Sequence, residues 1–389
     1  MITIQLNRWQ AALILTLFMS SLIAASLTGF YFNEVINPAN HDFPILKQAL
    51  EILVEHTYYE VPDRRALEYG MIRGMIQAGT DPYAAFLEPI QHELETNSLQ
   101  GNFAGIGVGM SRTEDGYLVL HPFSDGPAHR AGVRDGDRLL MIDEMEILPA
   151  TTLENVEAAL SGPIGEKVGI KLARPPDYSV FELIVAREMM DLPSVTWYLY
   201  PDMPSVAVIK INLIAASTPK EIQDAFARSN RMGATDFVLD LRDNGGGLLT
   251  AGIEIVRLFL RDGIIVQQQY RGKNADTYLV EQPGPLVDYP VVVLVNHATA
   301  SAAEIIAGSL KAHGRARIVG ENTFGKSTIQ LVFDLLDGSS LHITAAKWWL
   351  PGSNPSSPGE VVEPDVVLSS DQLSSDQALR TAVEVLLGQ

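Results

Sequence analysis

From Val195 onward the chain alternates apolar, β-branched runs with helical stretches, and this alternation limits its fold more than any other feature. The runs SVAVIKI, FVLDL, IIVQQQY, VVVLVN and ARIVG have the composition of strands buried on both faces. Helix candidates stand between them. One opens at Thr218-Pro219-Lys220-Glu221, a capping-box pattern with Pro at the first helical position. The others are LLTAGIEIVRLFL and SAAEIIAGSLKAH, the latter stopped by Gly314. Strands of this kind need helices to cover them, so residues 191–370 are expected to form an α/β domain, with a closing helix over 371–389.

At 389 residues there is room for two or three domains. Residues 33–100 read as a helical segment: Ile45, Leu46, Leu50, Leu53 and Val54 form one helical stripe, and ALEYGMIRGMIQAG repeats it up to the turn Asp81-Pro82. The texture changes at Gly101. Over 101–190 short strand-like runs (GIGVGM, YLVLHPF, RLLMIDEMEI, KVGIKLAR, FELIVAR) alternate with Gly-Pro and Asp-Gly turns around one helical stretch, TLENVEAALSG. That is a β-rich module. Lys and Arg number 28 against 47 Asp and Glu, for a net charge of −19. Phosphate binding needs clustered cations, so nucleic acid is not an expected partner. With no cysteine there is no disulfide, thiolate zinc site or cysteine nucleophile.

Residues 11–32, AALILTLFMSSLIAASLTGFYF, carry no charge over 22 residues. A helix of that length crosses a bilayer core of about 30 Å. Arg8 precedes the run and no Lys or Arg follows before Lys47, which puts residues 1–10 in the cytoplasm and everything after Phe32 outside. A membrane anchor is the expectation. A signal peptide cut near Ala24-Ala25-Ser26 is the alternative, and would release the protein to the exterior. A buried core helix is the plainer third reading.

Several segments carry candidate chemistry. Gly320 to Ser327 fits G-x-x-x-x-G-K-S, yet TIQLVFDLLDGSSLHITAAKWW follows it as strands, whereas a P-loop must open a helix. A nucleoside-triphosphatase reading is therefore weak. Lys326 lies in an apolar, Gly-containing run, where burial would favour the neutral amine and let it act as a base; a solvated loop lysine is the plain alternative. Ser301 follows the strand VVVLVN and opens a helix. With Glu304 it fits a capping box, and a serine there also has helix-end amides at hand to stabilise an oxyanion. The strand VLDL runs into Gly245-Gly246-Gly247, either a tight turn or a backbone surface close to a substrate. His297, His313 and His342 lie near Ser301 in sequence, but neither G-x-S-x-G nor H-E-x-x-H occurs. Surface or core histidine is the default for all eight.

Together these segments resemble the carboxyl-terminal processing (tail-specific) proteases, serine peptidases with a Ser–Lys dyad and a PDZ domain. The likeness runs from about residue 45 to 385. VLDLRDNGGG matches V-L-D-L-R-x-N-x-G-G, TASAAEI matches S-A-S-A-S-E-I, and GENTFGKSTIQ matches G-E-x-T-F-G-K-G-x-x-Q. Serine and lysine stand 25 residues apart, the family spacing, and ITAAKWWLPG with VVEPDVVL is similar to the family's ending. Departures are Ser327 in place of glycine, Thr299 and Ala303 in place of serines, and Gly246 where proline is common.

The resemblance implies a mixed α/β, multi-domain protein: a membrane helix, a helical segment, a PDZ domain over 101–190 and a crotonase- or Clp-protease-like core over 191–370. It implies Ser301 as nucleophile, Lys326 as general base, Gln330 as the group orienting the amine, and the amides of Gly247 and Ala302 as the oxyanion hole. In the module, Gly105-Ile106-Gly107-Val108 would bind a peptide carboxylate, with Ile106 and Val108 lining an apolar groove. Gly126-Pro127-Ala128, Ala131-Gly132 and Gly136-Asp137 match a second PDZ signature. No metal and no cofactor are implied. The expected substrates are exported or unfolded polypeptides with free C-termini, cut near that end by an extracytoplasmic enzyme. The flanking helices resemble elements that form homodimers in some relatives, and an adaptor lipoprotein is a second partner the family brings into view. A catalytically silent PDZ adaptor is the competing reading, against which stand the intact Ser301, Lys326 and Gln330.

Overall fold

The computed structural model describes residues 43–113, 115–191, 193–353, 361–373 and 377–388. The expected membrane span, 11–32, lies outside them. Among the described residues no helix is long and apolar enough to cross a membrane. Two compact units divide the chain, Met1–Met71 and Ile72–Gln389.

In the first unit, α1 (Pro44–His56) starts with Pro in its first turn, where the missing amide hydrogen costs no helical bond. The predicted stripe is helical but not a core face: α1 buries no residue, and Ile45 and Val54 are exposed. The helix α2 (Arg64–Ala78) begins in this unit and continues into the second.

The second unit opens with β1 (Ala85–Leu87) and α3 (Pro89–Gln100). Gly101 caps α3 at φ 86°, and a Cβ there would come within 2.3 Å of the Ser217 hydroxyl, so only glycine lets the chain turn here. The β-rich module follows as β2 (Asn102–Gly105), β3 (Val108–Arg112), β4 (Leu118–Pro122), α4 (Pro127–Ala131), β5 (Asp137–Ile142), β6 (Met145–Glu146), α5 (Leu153–Leu160), β7 (Lys167–Arg174), β8 (Ser179–Ala186) and β9 (Glu188–Asp191). Its sheet runs β3-β4-β5-β7-β8, with β6 beside β5, while β2 and β9 pair as a separate ribbon. Ile106, Leu120, Leu139, Val156 and Ile170 pack its core. Asp137, fully buried, takes a two-pronged hydrogen bond from Arg174 at 2.8 and 2.7 Å, so the buried charge is paired rather than stranded.

The α/β region comprises β10 (Val195–Leu199), β11 (Val206–Ile211), α6 (Thr218–Arg231), β12 (Asp236–Asp240), α7 (Leu249–Phe259), β13 (Ile264–Tyr270), β14 (Ala275–Leu279), β15 (Val291–Val295), α8 (Ala302–Ala312), β16 (Arg317–Gly320), β17 (Thr328–Asp334), β18 (Ser340–Trp349), β19 (Val366–Val367), α9 (Ser370–Leu373) and α10 (Gln377–Leu386). Its main sheet has the order β10-β11-β12-β15-β16-β19, parallel except for β10. Alternate residues face opposite layers. Ile209, Leu239, Val293 and Ile318 pack with Phe226, Ile255 and Ile306 of α6, α7 and α8. Val208, Val238, Val292 and Val319 pack with Ala378, Ala382 and Val383 of α10. A second, antiparallel sheet runs β1-β18-β13-β14, with β17 also on β18.

One local expectation fails. Thr218 is not an N-cap but the first helical residue after Ser217, and it is fully buried. Its hydroxyl accepts the Ala215 amide and donates to the Leu213 carbonyl, while Glu221 accepts the Val195 amide at 3.0 Å. The turn before the helix has captured one half of the box and β10 the other. The P-loop alternative is also absent: after Gly320 the next element is the strand β17, with no helix to present amides to a phosphate. Gly320 is required for packing, since a Cβ there would lie 1.9 Å from the Val295 carbonyl oxygen.

Candidate active site

Three loops leave the carboxyl ends of β12, β15 and β16, the edge of a parallel sheet where ligands bind in α/β folds. They carry the glycine run, Ser301 and Lys326. Glu304, fully buried in the first turn of α8, joins two of them. Its Oε2 accepts the Ser301 amide at 2.8 Å and the Lys326 amide at 2.9 Å. Its Oε1 accepts the Gly325 amide and the Thr323 hydroxyl, both at 2.6 Å. The Phe324 amide donates to the Thr299 carbonyl at 3.0 Å, closing the same junction. The backbone nitrogens of Ser301 and Lys326 are thus two hydrogen bonds from each other through one oxygen. Burial raises the Glu304 carboxyl above its ordinary range, and those four donors pull it back only in part.

Ser301 sits at φ 56° and ψ −120°, a region that costs a side-chain-bearing residue about 1–3 kcal/mol. The turn from β15 into α8 is therefore a strained elbow built without the G-x-S-x-G sequence. Against it lies Gly246 at φ 104°, where a Cβ would fall 2.9 Å from the Ser301 Cβ and 3.2 Å from the Ala302 amide nitrogen. Proline cannot take that φ, so the departure assigned to Gly246 is misplaced; Gly245, with open space for a Cβ, is where a ring would fit. Gly247, at φ 143°, leaves no room for a side chain: a Cβ would be 2.2 Å from the Ile214 carbonyl oxygen. Among the described residues, neither the Gly247 nor the Ala302 amide meets a hydrogen-bond acceptor. Asn244 holds the loop in shape, accepting from the Gly246 amide at 2.8 Å and donating to the Ile211 carbonyl at 2.7 Å.

The Lys326 amine is half-buried. It donates to the Gln330 Oε1 at 2.7 Å and lies 5.0 Å from the centre of the Tyr83 ring. Gln330 in turn donates to the Tyr83 carbonyl at 2.5 Å. A register shift between Ile329 and Gln330, opposite Thr344 on β18, re-aims this side chain. Asp81 fixes the turn that carries Tyr83: it accepts the Thr344 amide at 2.7 Å, the Thr344 hydroxyl at 2.9 Å and the Tyr83 amide at 3.1 Å. Burial lowers the pKa of Lys326, more than the nearby charges of Asp81 and Glu95 raise it. The predicted trio Ser301, Lys326 and Gln330 therefore falls in one neighbourhood. Sequence reasoning missed Asp81 and Tyr83, whose only trace was the Asp-Pro turn, and gave Glu304 no more than a helix cap. His297 is excluded as a partner for Ser301, since its ring is exposed and faces Glu321 at 3.4 Å. His313 bonds the Ile264 carbonyl at 2.8 Å.

A model described as peptidase family S41 matches residues 205–368, and a PDZ domain model matches residues 124–174. A carboxyl-terminal-processing protease of Synechocystis is 32% identical, over 86% of this chain and 81% of its own length. One from Picosynechococcus is 37% identical, over 73% of this chain and 69% of its own. The carboxy-terminal processing protease CtpA of Bacillus subtilis is 30% identical over 87% and 73%. The chain belongs to peptidase family S41. It is a serine peptidase of the carboxyl-terminal-processing kind, with a PDZ domain and polypeptides as substrates. That removes the silent adaptor and the nucleoside-triphosphatase as readings.

In the PDZ domain of this S41 peptidase, the Gly105–Val108 loop precedes β3, which among the described residues pairs only with β4. Gly107 takes φ 75°, and its carbonyl accepts the Phe123 amide at 2.9 Å. The amides of Ile106 and Gly107 meet no acceptor among the described residues. The Ile106 side chain does not line a groove as expected. It is fully buried in the domain core, because the loop turns it inward beneath Leu118 and Leu120, and Val108 packs partly on the same core.

Three substitutions probe the strained elbow and its clamp. Ser301→Gly relieves the positive φ and should denature at higher temperature than Ser301→Ala, by about 1 kcal/mol of stability, with both inactive. Equal stabilities would mean the elbow stores no strain. Glu304→Gln puts an amide NH2 where a carboxylate oxygen stands, leaving buried donors unpaired at roughly 1–3 kcal/mol each. Peptidase activity should fall at least tenfold, and thermal denaturation and kcat measured together would report the loss.

Proposed function

We propose that this peptidase cleaves exported or unfolded polypeptides near their C-termini on the extracytoplasmic side of a membrane, through an acyl-enzyme on Ser301. One observation carries the chemistry: a single buried carboxylate oxygen holds the backbone of both Ser301 and Lys326. In the proposed reaction the neutral Lys326 amine takes the Ser301 hydroxyl proton as the oxygen attacks the scissile carbonyl carbon. Negative charge then forms on the carbonyl oxygen between the Gly247 and Ala302 amides. As the C–N bond breaks, the Lys326 ammonium returns the proton to the leaving amine, and water repeats the sequence on the acyl-enzyme. Gln330 positions the amine by accepting one of its hydrogens. The reading of the core as crotonase- or Clp-protease-like rests on the resemblance and on this placement of loops at the strand ends.

The export reading rests on the uncharged run 11–32 behind Arg8, with residues 11–32 as the membrane anchor and a cleaved signal peptide as the alternative. Recognition of the substrate tail rests on the Gly105–Val108 loop. Its amides can converge on a carboxylate, and β3 offers an open edge for the peptide to extend the sheet.

On an unfolded protein substrate, Ser301→Ala and Lys326→Ala should each cut activity by a factor on the order of 10³ or more. Lys326→Arg should fail as well, because guanidinium keeps its proton. His297→Ala should stay active. A base must be unprotonated, so the rate should rise with pH through the lowered pKa of Lys326 and flatten above it. A rate independent of pH while chemistry is limiting would remove Lys326 from the role. For the PDZ loop, substrates with a free C-terminal carboxylate should be cut faster than the same chains amidated. Equal rates would mean that the loop does not read the terminus.

A further inference from the structure

A cluster of ligand-type side chains lies beside the site, and of its members only Glu95 has entered the chemistry above, through the effect of its charge on Lys326. His92 and Glu95 stand three residues apart on α3, so they share one face of that helix. His342, 6% exposed, comes from β18, where it is paired with Val332 of β17 and Ala85 of β1. One ligand atom of each residue lies within 4.8 Å of the others. We propose that His92, Glu95 and His342 bind a divalent cation of the zinc type, which fastens the helix leading into the PDZ domain to the β17–β18 hairpin.

Three features of the cluster carry this assignment. First, the His92 Nε2 faces the Asp334 Oδ1 at 3.0 Å, while its Nδ1 is buried and has no hydrogen-bond partner. A carboxylate on one ring nitrogen fixes the tautomer that leaves the other as a lone-pair donor, the usual support of a metal-bound histidine. Two ordinary ion pairs would leave that buried nitrogen unexplained. Second, the His342 Nε2 and Glu95 Oε2 are 3.3 Å apart, about the edge of a tetrahedron with metal–ligand bonds of roughly 2.0–2.1 Å. Third, the set is imidazole and carboxylate in a chain with no cysteine, which suits zinc better than calcium or magnesium. The Ser340 hydroxyl also meets the His342 Nε2, at 3.1 Å, and would turn aside when that nitrogen takes a metal.

The test is a titration of the full-length chain, stripped with a chelator, with zinc chloride by calorimetry, alongside thermal denaturation with and without zinc. The wild type should bind one zinc at this site and denature at higher temperature when zinc is present. Glu95→Gln, at an exposed position, and His92→Asn, at a partly buried one, should each abolish that binding and the thermal shift while denaturing normally without metal. Asp334→Asn, acting through His92, should weaken binding by roughly tenfold to a hundredfold. The proposal fails if the wild type shows neither heat nor a thermal shift. It fails equally if zinc binds and stabilises both ligand variants as it does the wild type, which would place the metal on scattered surface carboxylates.

Discussion

The site depends on one buried carboxylate. Glu304 is fully enclosed, and an enclosed anion is costly unless donors surround it. Here four donors do so: the amides of Ser301, Gly325 and Lys326, and the hydroxyl of Thr323. Three of the four belong to the loop after β16, and the fourth is the elbow between β15 and α8. The need to satisfy one charge is therefore what draws two loops, 25 residues apart in sequence, to a common point. Burial still raises the Glu304 pKa, so the four donors offset the cost of enclosure only in part. The same enclosure that defines the site holds its centre in an unfavourable place.

Around that clamp the two sheets divide the work. The parallel sheet supplies the ends of β12, β15 and β16, and so the glycine turn, the elbow and the lysine loop. The antiparallel sheet supplies the surroundings of the amine. Thr344 on β18 holds Asp81, Asp81 holds the turn of Tyr83, and the Tyr83 carbonyl holds Gln330. The bulge at Ile329/Gln330 connects this chain of bonds to the lysine. Rigid elements thus fix every proposed catalytic group through at least one further hydrogen bond, as a preorganised site requires.

Much of this was legible in the sequence, and what was not has physical reasons. Strands buried on both faces announce themselves through unbroken apolar runs, and β11, β12, β15 and β16 fell within or beside the runs SVAVIKI, FVLDL, VVVLVN and ARIVG. Ser301 and Lys326 stood out as candidates in the residues themselves, Gln330 entered through the family resemblance, and the structure brings the three into one neighbourhood. Glu304 was seen as a helix cap because S-x-x-E describes a local bond, and its bonds to Gly325 and Lys326 exist only once the loops meet. Asp81 and Tyr83 act from more than two hundred residues away along the chain, which no periodicity reports. Thr218 and Glu221 wrote a capping box that the preceding turn and β10 dissolved, and Ile106 looked like groove lining because a β-rich loop does not declare which side chain turns inward.

The open edge of β3 has a further consequence for a processing enzyme. Hydrolysis of a peptide bond leaves a new carboxylate at the end of the fragment that keeps the original N-terminus. On the proposed reading of the Gly105–Val108 loop, the product of one cut carries the very group by which its parent was captured. Release and recapture would then compete after every turnover, and the fit of the newly exposed residues beside β3 would decide between them. Where the uncovered tail fits, trimming would continue; where it does not, the chain would depart. The stopping point of processing would in this way be written in the substrate's own sequence, upstream of the first cut.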